Sequence, residues 1–294
     1  MTFDDARRLA AVMAIALIGT GAATAAADAR PDAGDGSTAN AAASRDLFTR
    51  ADRTSFGRLE RTLTGSSGVA VSPVGKGQPV FALGSLKSAV AWSTSKVPVA
   101  MAVIDRGGGA KHRGDLRQAI TASDNAAAER LWSSLGSGSA AASAAQAQLR
   151  AAGDATTRME SRRLRSGFTP FGQTLWKLSD QARFTAGMPC RSSGRQVLSL
   201  MGRVISSHRW GLGVRSGARL KGGWGPGSQP GASGGYLDRQ MGIVTVGGKQ
   251  IAVAIATRPS DGAHETGTAH LTTIAKWVFS HVDARGATAS AACG

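Results

Sequence analysis

The sequence has little cysteine, tyrosine or lysine. Its 294 residues include two cysteines, Cys190 and Cys293, one tyrosine, and eight lysines beside 27 arginines. Two cysteines can neither staple a disulfide-dense scaffold nor fill a four-thiolate zinc site. The five histidines, His112, His208, His264, His270 and His281, form no metal-spaced pair. No metal is expected, and they read as surface or structural residues. There is no Gly-x-Ser-x-Gly nucleophile elbow. No zinc spacing, aromatic-rich basic strand or recognition helix marks a nucleic-acid binder. The apolar run near the start, Leu9–Ile18, has about ten residues, too few for a bilayer, and no later stretch suffices. No cofactor is called for.

What is present begins with an export pattern. Arg7 and Arg8 precede the apolar run, and Ala25-Ala26-Ala27 and Ala27-Asp28-Ala29 offer Ala-x-Ala cleavage sites. No cysteine lies near them, which excludes a lipid anchor attached there. Residues 1–27 are therefore expected to be a signal peptide, and the Ala/Gly/Asp/Ser stretch 28–43 a flexible linker. An exported chain meets an oxidising compartment, so a Cys190–Cys293 bridge and two separate thiols both stay open. The net charge is +16, and Arg150–Lys221 carries 14 Lys/Arg against Asp154, Glu160 and Asp180, a net +11. Such a field draws anionic partners, such as envelope polymers, or is simply a solvated surface.

Apolar residues at helical spacing predict a helix over 44–64. Val69–Val71 and Val80–Leu83 flank Gly75-Lys76-Gly77-Gln78, a hairpin with a four-residue turn. Helices are expected at 93–104, 116–120, 126–135, 140–152, 174–184, 196–205 and 271–282. Strands are expected at 214–220, 242–246 and 251–257, the last two joined by Gly247-Gly248. The economical fold is α/β: an antiparallel sheet built from both chain ends, flanked by helices, with an all-helical domain inserted. The boundaries are 44–90 and 212–294 for the sheet domain and 91–211 for the helical one.

Three short motifs carry chemistry. Ser93-Thr94-Ser95-Lys96 puts an amine one helical turn from a hydroxyl. Serine needs a base, and lysine can lose its proton where arginine cannot. A lysine thus stands where a base is needed in a chain that otherwise prefers arginine. Ser123-Asp124-Asn125 lies between two expected helices and, taken alone, suits a helix cap. Lys221-Gly222-Gly223-Trp224, at the end of the 214–220 strand, offers a carboxylate-binding amine and glycines that let a substrate backbone approach.

The order Ser-x-x-Lys, Ser-Asp-Asn, Lys-Gly-Gly resembles the serine β-lactamases and penicillin-binding DD-peptidases over about 44–284. The resemblance implies a β-lactamase-like fold and a serine hydrolase acting on a β-lactam or a peptidoglycan stem peptide. Ser93 would attack the carbonyl, with Lys96 taking its proton. Ser123 would pass a proton to the leaving nitrogen. Asn125 would bind the substrate amide, and Lys221 its carboxylate. The N–H groups of Ser93 and Trp224 would hold the oxyanion, and Trp92 and Trp224 would line the cleft. Gly153–Arg158 resembles the start of the class A omega loop. The glutamate expected five residues past Arg158 is Arg163, and the supporting asparagine is Gly167. This argues against efficient class A turnover. Glu160 is the nearest carboxylate, expected in a salt bridge among Arg158, Arg162 and Arg163.

Overall fold

A computed structural model describes residues 46–283 and Cys293. The expected signal peptide and linker lie outside these residues.

Helix α1 (Arg50–Thr62) starts later than expected because Thr49 caps it. The Thr49 hydroxyl accepts from Asp52 N–H at 3.1 Å, and the Asp52 carboxylate accepts from Thr49 N–H at 2.8 Å. Leu47 and Phe48, just before the cap, are buried rather than helical.

Strands β1 (Ser66–Pro73) and β2 (Phe81–Gly84) come from the N-terminal part. Residues 74–80 connect them, a longer link than the expected four-residue turn, although β1 runs on to Pro73. From the C-terminal part come β5 (Arg219–Pro226), β6 (Tyr236–Val246) and β7 (Lys249–Arg258). They form one antiparallel sheet in the order β2-β1-β7-β6-β5, built from both ends of the chain. Gly247 and Gly248, both at positive φ, close the β6–β7 hairpin. Helix α8 (His264–His281) packs with α1 on one face of the sheet. Phe48, Phe56, Ile255, Leu271, Ile274 and Val278 fill that layer. Burying each such side chain stabilises by about 1.5–3 kcal/mol.

The second core lies among α2 (Lys96–Asp105), α3 (Arg113–Thr121), α4 (Asn125–Ser134), α5 (Gly138–Ala151) and α7 (Ser192–Met201). Alanines 100, 127, 128, 141 and 145 let these helices approach closely, with Leu131, Trp132, Leu149 and Met201 filling between.

Two expected elements are corrected. Residues 174–184 are not one helix. Leu175–Lys177 is strand β4, paired with β3 (Ser88–Val90), and α6 (Leu178–Gly187) follows. Trp176 decides this: it is buried, and its indole N–H donates to buried Asp154 at 2.9 Å. The strand expected at 214–220 lies at 219–226, after a 3₁₀ turn at Gly211–Val214. Its glycines look like a loop in sequence but are required by close packing. A Cβ on Gly223 would sit 2.9 Å from Ser93 N, and one on Gly225 2.8 Å from the Trp92 ring. Lys221 is thus inside the strand, not at its end. Helix α7 stops at Met201, short of 205, while β6 and α8 begin earlier than expected, at Tyr236 and His264.

Arg239 ties the two parts together. Wholly buried, it donates to Ala89 O, Val90 O, Trp176 O and the Gln181 side chain, and among the described residues it has no carboxylate partner. Burial lowers its pKa to about 9. Cys190 and Cys293 are bridged, which holds Cys293 near the start of α7.

Candidate active site

Ser93 sits in a 3₁₀ turn (Trp92–Ser95) that runs directly into α2. From Ala89 to Val103 it is the one residue not buried. Trp92, just before it, holds φ 45°, a left-handed conformation that costs a non-glycine residue about 1–3 kcal/mol. Packing stabilises that conformation. The Trp92 ring stacks obliquely on Phe168 at 5.5 Å, and its carbonyl accepts from Ser95 Oγ at 2.6 Å. The turned backbone presents Ser93 to solvent, where its hydroxyl makes no hydrogen bond to the described residues.

One turn on, Lys96 is 1% exposed. Its amine donates to Ser123 O and, at 2.7 Å, to Asn125 Oδ1, with Ser123 Oγ at 3.4 Å. Burial lowers its pKa from 10.5 to about 7, opposed by the charge of Asp124. A neutral amine has two N–H groups. The Ser123 carbonyl and Asn125 accept both, leaving the lone pair free for a proton.

Ser123 also has positive φ, 59°. This kink separates α3 from α4 and aims the hydroxyl between two lysines. The cap expected in this motif is present and belongs to Asp124, whose carboxylate accepts from Ala127 N–H at 2.6 Å. The motif thus divides: Asp124 starts the helix, while Ser123 and Asn125 face Lys96.

Lys221, 2% exposed, projects from β5 and donates to Ser123 Oγ at 2.8 Å and Gly222 O at 2.7 Å. Burial, then the charge of Lys96, hold its pKa well below the ordinary lysine value. Strand β5 is the sheet edge, so part of its backbone faces away from β6. Gly223 abuts the Ser93 backbone nitrogen, and Trp224 follows it. Gly222 lies under Trp210, whose ring a Cβ there would meet at 3.1 Å. The structure therefore brings Ser93, Lys96, Ser123, Asn125, Lys221, Gly222, Gly223 and Trp224 into one neighbourhood.

Sequence reasoning missed the wall behind Trp224. His264 stacks on its ring at 5.5 Å, His208 meets it edge-on at 4.8 Å, and Trp210 at 5.9 Å. His264 Nδ1 lies 2.5 Å from buried Asp238 Oδ1. Burial raises the Asp238 pKa to about 6, against the pull of His264. Burial, then Lys221, Lys96 and His264, lower that of His208. Trp210 is fixed by Gln240, which donates to its carbonyl at 2.7 Å. No motif signals these residues.

The omega-like segment is also corrected in detail. Glu160 pairs with Arg162 at 3.0 Å and accepts from the N–H groups of Ser161 and Arg162. The Arg162 hydrogen bond lowers its pKa, opposite to what a general base needs. Arg163 does not join it. Its guanidinium pairs with Glu129 at 2.8 Å and donates to Phe168 O at 2.6 Å. Glu129 stands one turn beyond Asn125, on the same side of α4.

No protein-family model matches the sequence, and no curated protein does. Solved structures do match in fold. An ancestral (GNCA) class A β-lactamase superposes with TM-score 0.57 at 20% identity, covering 78% of this chain and 99% of that one. A class A β-lactamase from Mycobacterium abscessus gives 0.60 at 14% identity, covering 78% and 98%. A β-lactamase from Chitinophaga pinensis gives 0.61 at 14% identity, with the same coverage. The chain has the β-lactamase-like fold.

Proposed function

We propose that this chain is an exported serine hydrolase, acylated at Ser93 by a β-lactam or D-alanyl amide and slow to release the acyl group. The observation that carries this reading is the meeting of two buried amines on one hydroxyl. Lys96 and Lys221 both reach Ser123 Oγ, and Lys96, one helical turn from Ser93, is held near a pKa of 7. Lysines buried without a carboxylate cost stability, and a catalytic cleft is where such a cost is offset by function.

In the proposed reaction, neutral Lys96 takes the Ser93 proton as Oγ attacks the carbonyl carbon. The C–N bond then breaks, and the proton passes through Ser123 Oγ to the leaving nitrogen. Ser93 is left as an ester. The N–H groups of Ser93 and Trp224 receive the developing oxyanion, each contributing about 3 kcal/mol. Asn125 orients the substrate amide, and Lys221 attracts its carboxylate. Hydrolysis of the ester needs a base for water. Arg163 and the Arg162-bound Glu160 supply none, which supports a persistent acyl-enzyme. Export rests on the Arg7–Ala29 pattern alone.

The competing reading, a basic module that binds anionic envelope polymers, has less support. Arg150 and Arg165 hold backbone carbonyls, and Arg162, Arg163, Arg183 and Arg191 hold carboxylates of the chain itself. Incubation with a penicillin followed by intact-mass measurement separates the two. The hydrolase gives a Ser93-dependent adduct, and the binding module gives none.

A further inference from the structure

A second feature lies in the helical part and is independent of the Ser93 chemistry. Helix α2 ends at Asp105 and α3 begins at Arg113, so only residues 106–112 connect them. Between these two helices and α7 a cavity of about 480 Å³ opens to solvent. That volume falls within the range of small-molecule sites, about 300–1,000 Å³. Its apolar lining is Ile104, Leu116 and Leu200, all in contact with the helical core. Its rim carries Arg113, Arg117 and Arg203.

What distinguishes these three arginines is that they meet at one opening. Arg130, Arg162, Arg163, Arg183 and Arg191 each hold a carboxylate. Among the described residues, Arg113, Arg117 and Arg203 hold none, and their side chains donate no hydrogen bond. The nearest acids in sequence are engaged elsewhere, Asp105 by Arg191 and Asp115 by Arg130. Arg113 and Arg117, four residues apart, share one face of α3 and repel each other. Guanidinium groups bind carboxylate and phosphate oxygens in pairs. An apolar floor beneath three unpaired guanidiniums fits a ligand with a greasy body and a negative head.

We infer that this cavity binds an amphipathic anion, an aliphatic tail ending in a carboxylate or phosphate group. The experiment titrates the whole protein, labelled at Ile and Leu methyls, with decanoate, decyl phosphate, decanol and inorganic phosphate below micelle formation. Decanoate or decyl phosphate is expected to give saturable shifts at Ile104, Leu116 and Leu200. The tighter of the two identifies a fatty carboxylate or a phosphate-headed lipid as the source. Decanol and inorganic phosphate are expected to bind at least about tenfold more weakly, and the Arg117→Gln/Arg203→Gln variant to lose about tenfold in affinity for the anion. Leu200→Trp, which fills the cavity, is expected to abolish binding while leaving penicillin acylation unchanged. Ser93→Ala is expected to leave anion binding unchanged, which keeps this test separate from that of the hydrolase. Absence of saturable shifts at those methyls, decanol binding as tightly as the anions, or full affinity in the double arginine variant would overturn the inference.

Discussion

Asp124→Asn isolates the electrostatics of Lys96. Asparagine caps a helix about as well as aspartate, so α4 keeps its start while one negative charge is lost. That charge is what opposes the burial of Lys96. Burial moves the lysine from 10.5 to about 7, a differential cost of roughly 5 kcal/mol on its charged form. At pH 7 about half of the molecules then carry a neutral amine, against roughly one in three thousand for a free lysine. The base is thereby made about a thousandfold more available. Acylation should rise about tenfold per pH unit below this pKa and level off above it. Removing the Asp124 charge takes away support for the ammonium form, so the rising limb should move to lower pH. Stopped-flow acylation by a fluorescent penicillin, from about pH 5 to 9, measures the limb in both proteins. A limb that stays put or moves to higher pH in the variant would refute the reasoning. So would a wild-type limb near that of an ordinary lysine.

Other expectations follow from the same contacts. Arg163→Glu alone faces Glu129 with a like charge, whereas Arg163→Glu/Glu129→Gln offers an unpaired carboxylate. The double variant should shorten the acyl-enzyme lifetime by about 10²-fold or more, followed as loss of label. Gly223→Ala puts a methyl 2.9 Å from Ser93 N, so acylation should fall by at least about tenfold while circular dichroism shows an intact fold. Cys293→Ser opens a bridge spanning 103 residues and should cost about 2–5 kcal/mol in denaturant unfolding, with little change in acylation.

What the sequence revealed depended on range. Ser93 and Lys96 are one helical turn apart, so their proximity needs only local geometry. The sheet from both chain ends was legible because Val69–Val71 and Ile251–Thr257 are apolar strands on either side of a helical middle. Strand β5 was misplaced because Gly222, Gly223 and Gly225 look like a loop, although they are there to admit the Ser93 backbone, Trp92 and Trp210. Strand β4 was missed because its three residues are fixed by a Trp176–Asp154 bond and by pairing with β3, both distant in sequence. Glu129–Arg163 and Asp238–His264 span 34 and 26 residues, and no spacing rule pairs them. The left-handed φ at Trp92 and Ser123 was equally silent, since neither residue type favours it.

Peptide mapping of the penicillin-treated protein bears most directly on the cleft as a site of acyl transfer. The proposed chemistry places one acyl group per chain on the Ser93 peptide, lost in Ser93→Ala and strongly reduced in Lys96→Ala. An unmodified protein, or a label carried equally by Ser93→Ala, would contradict it.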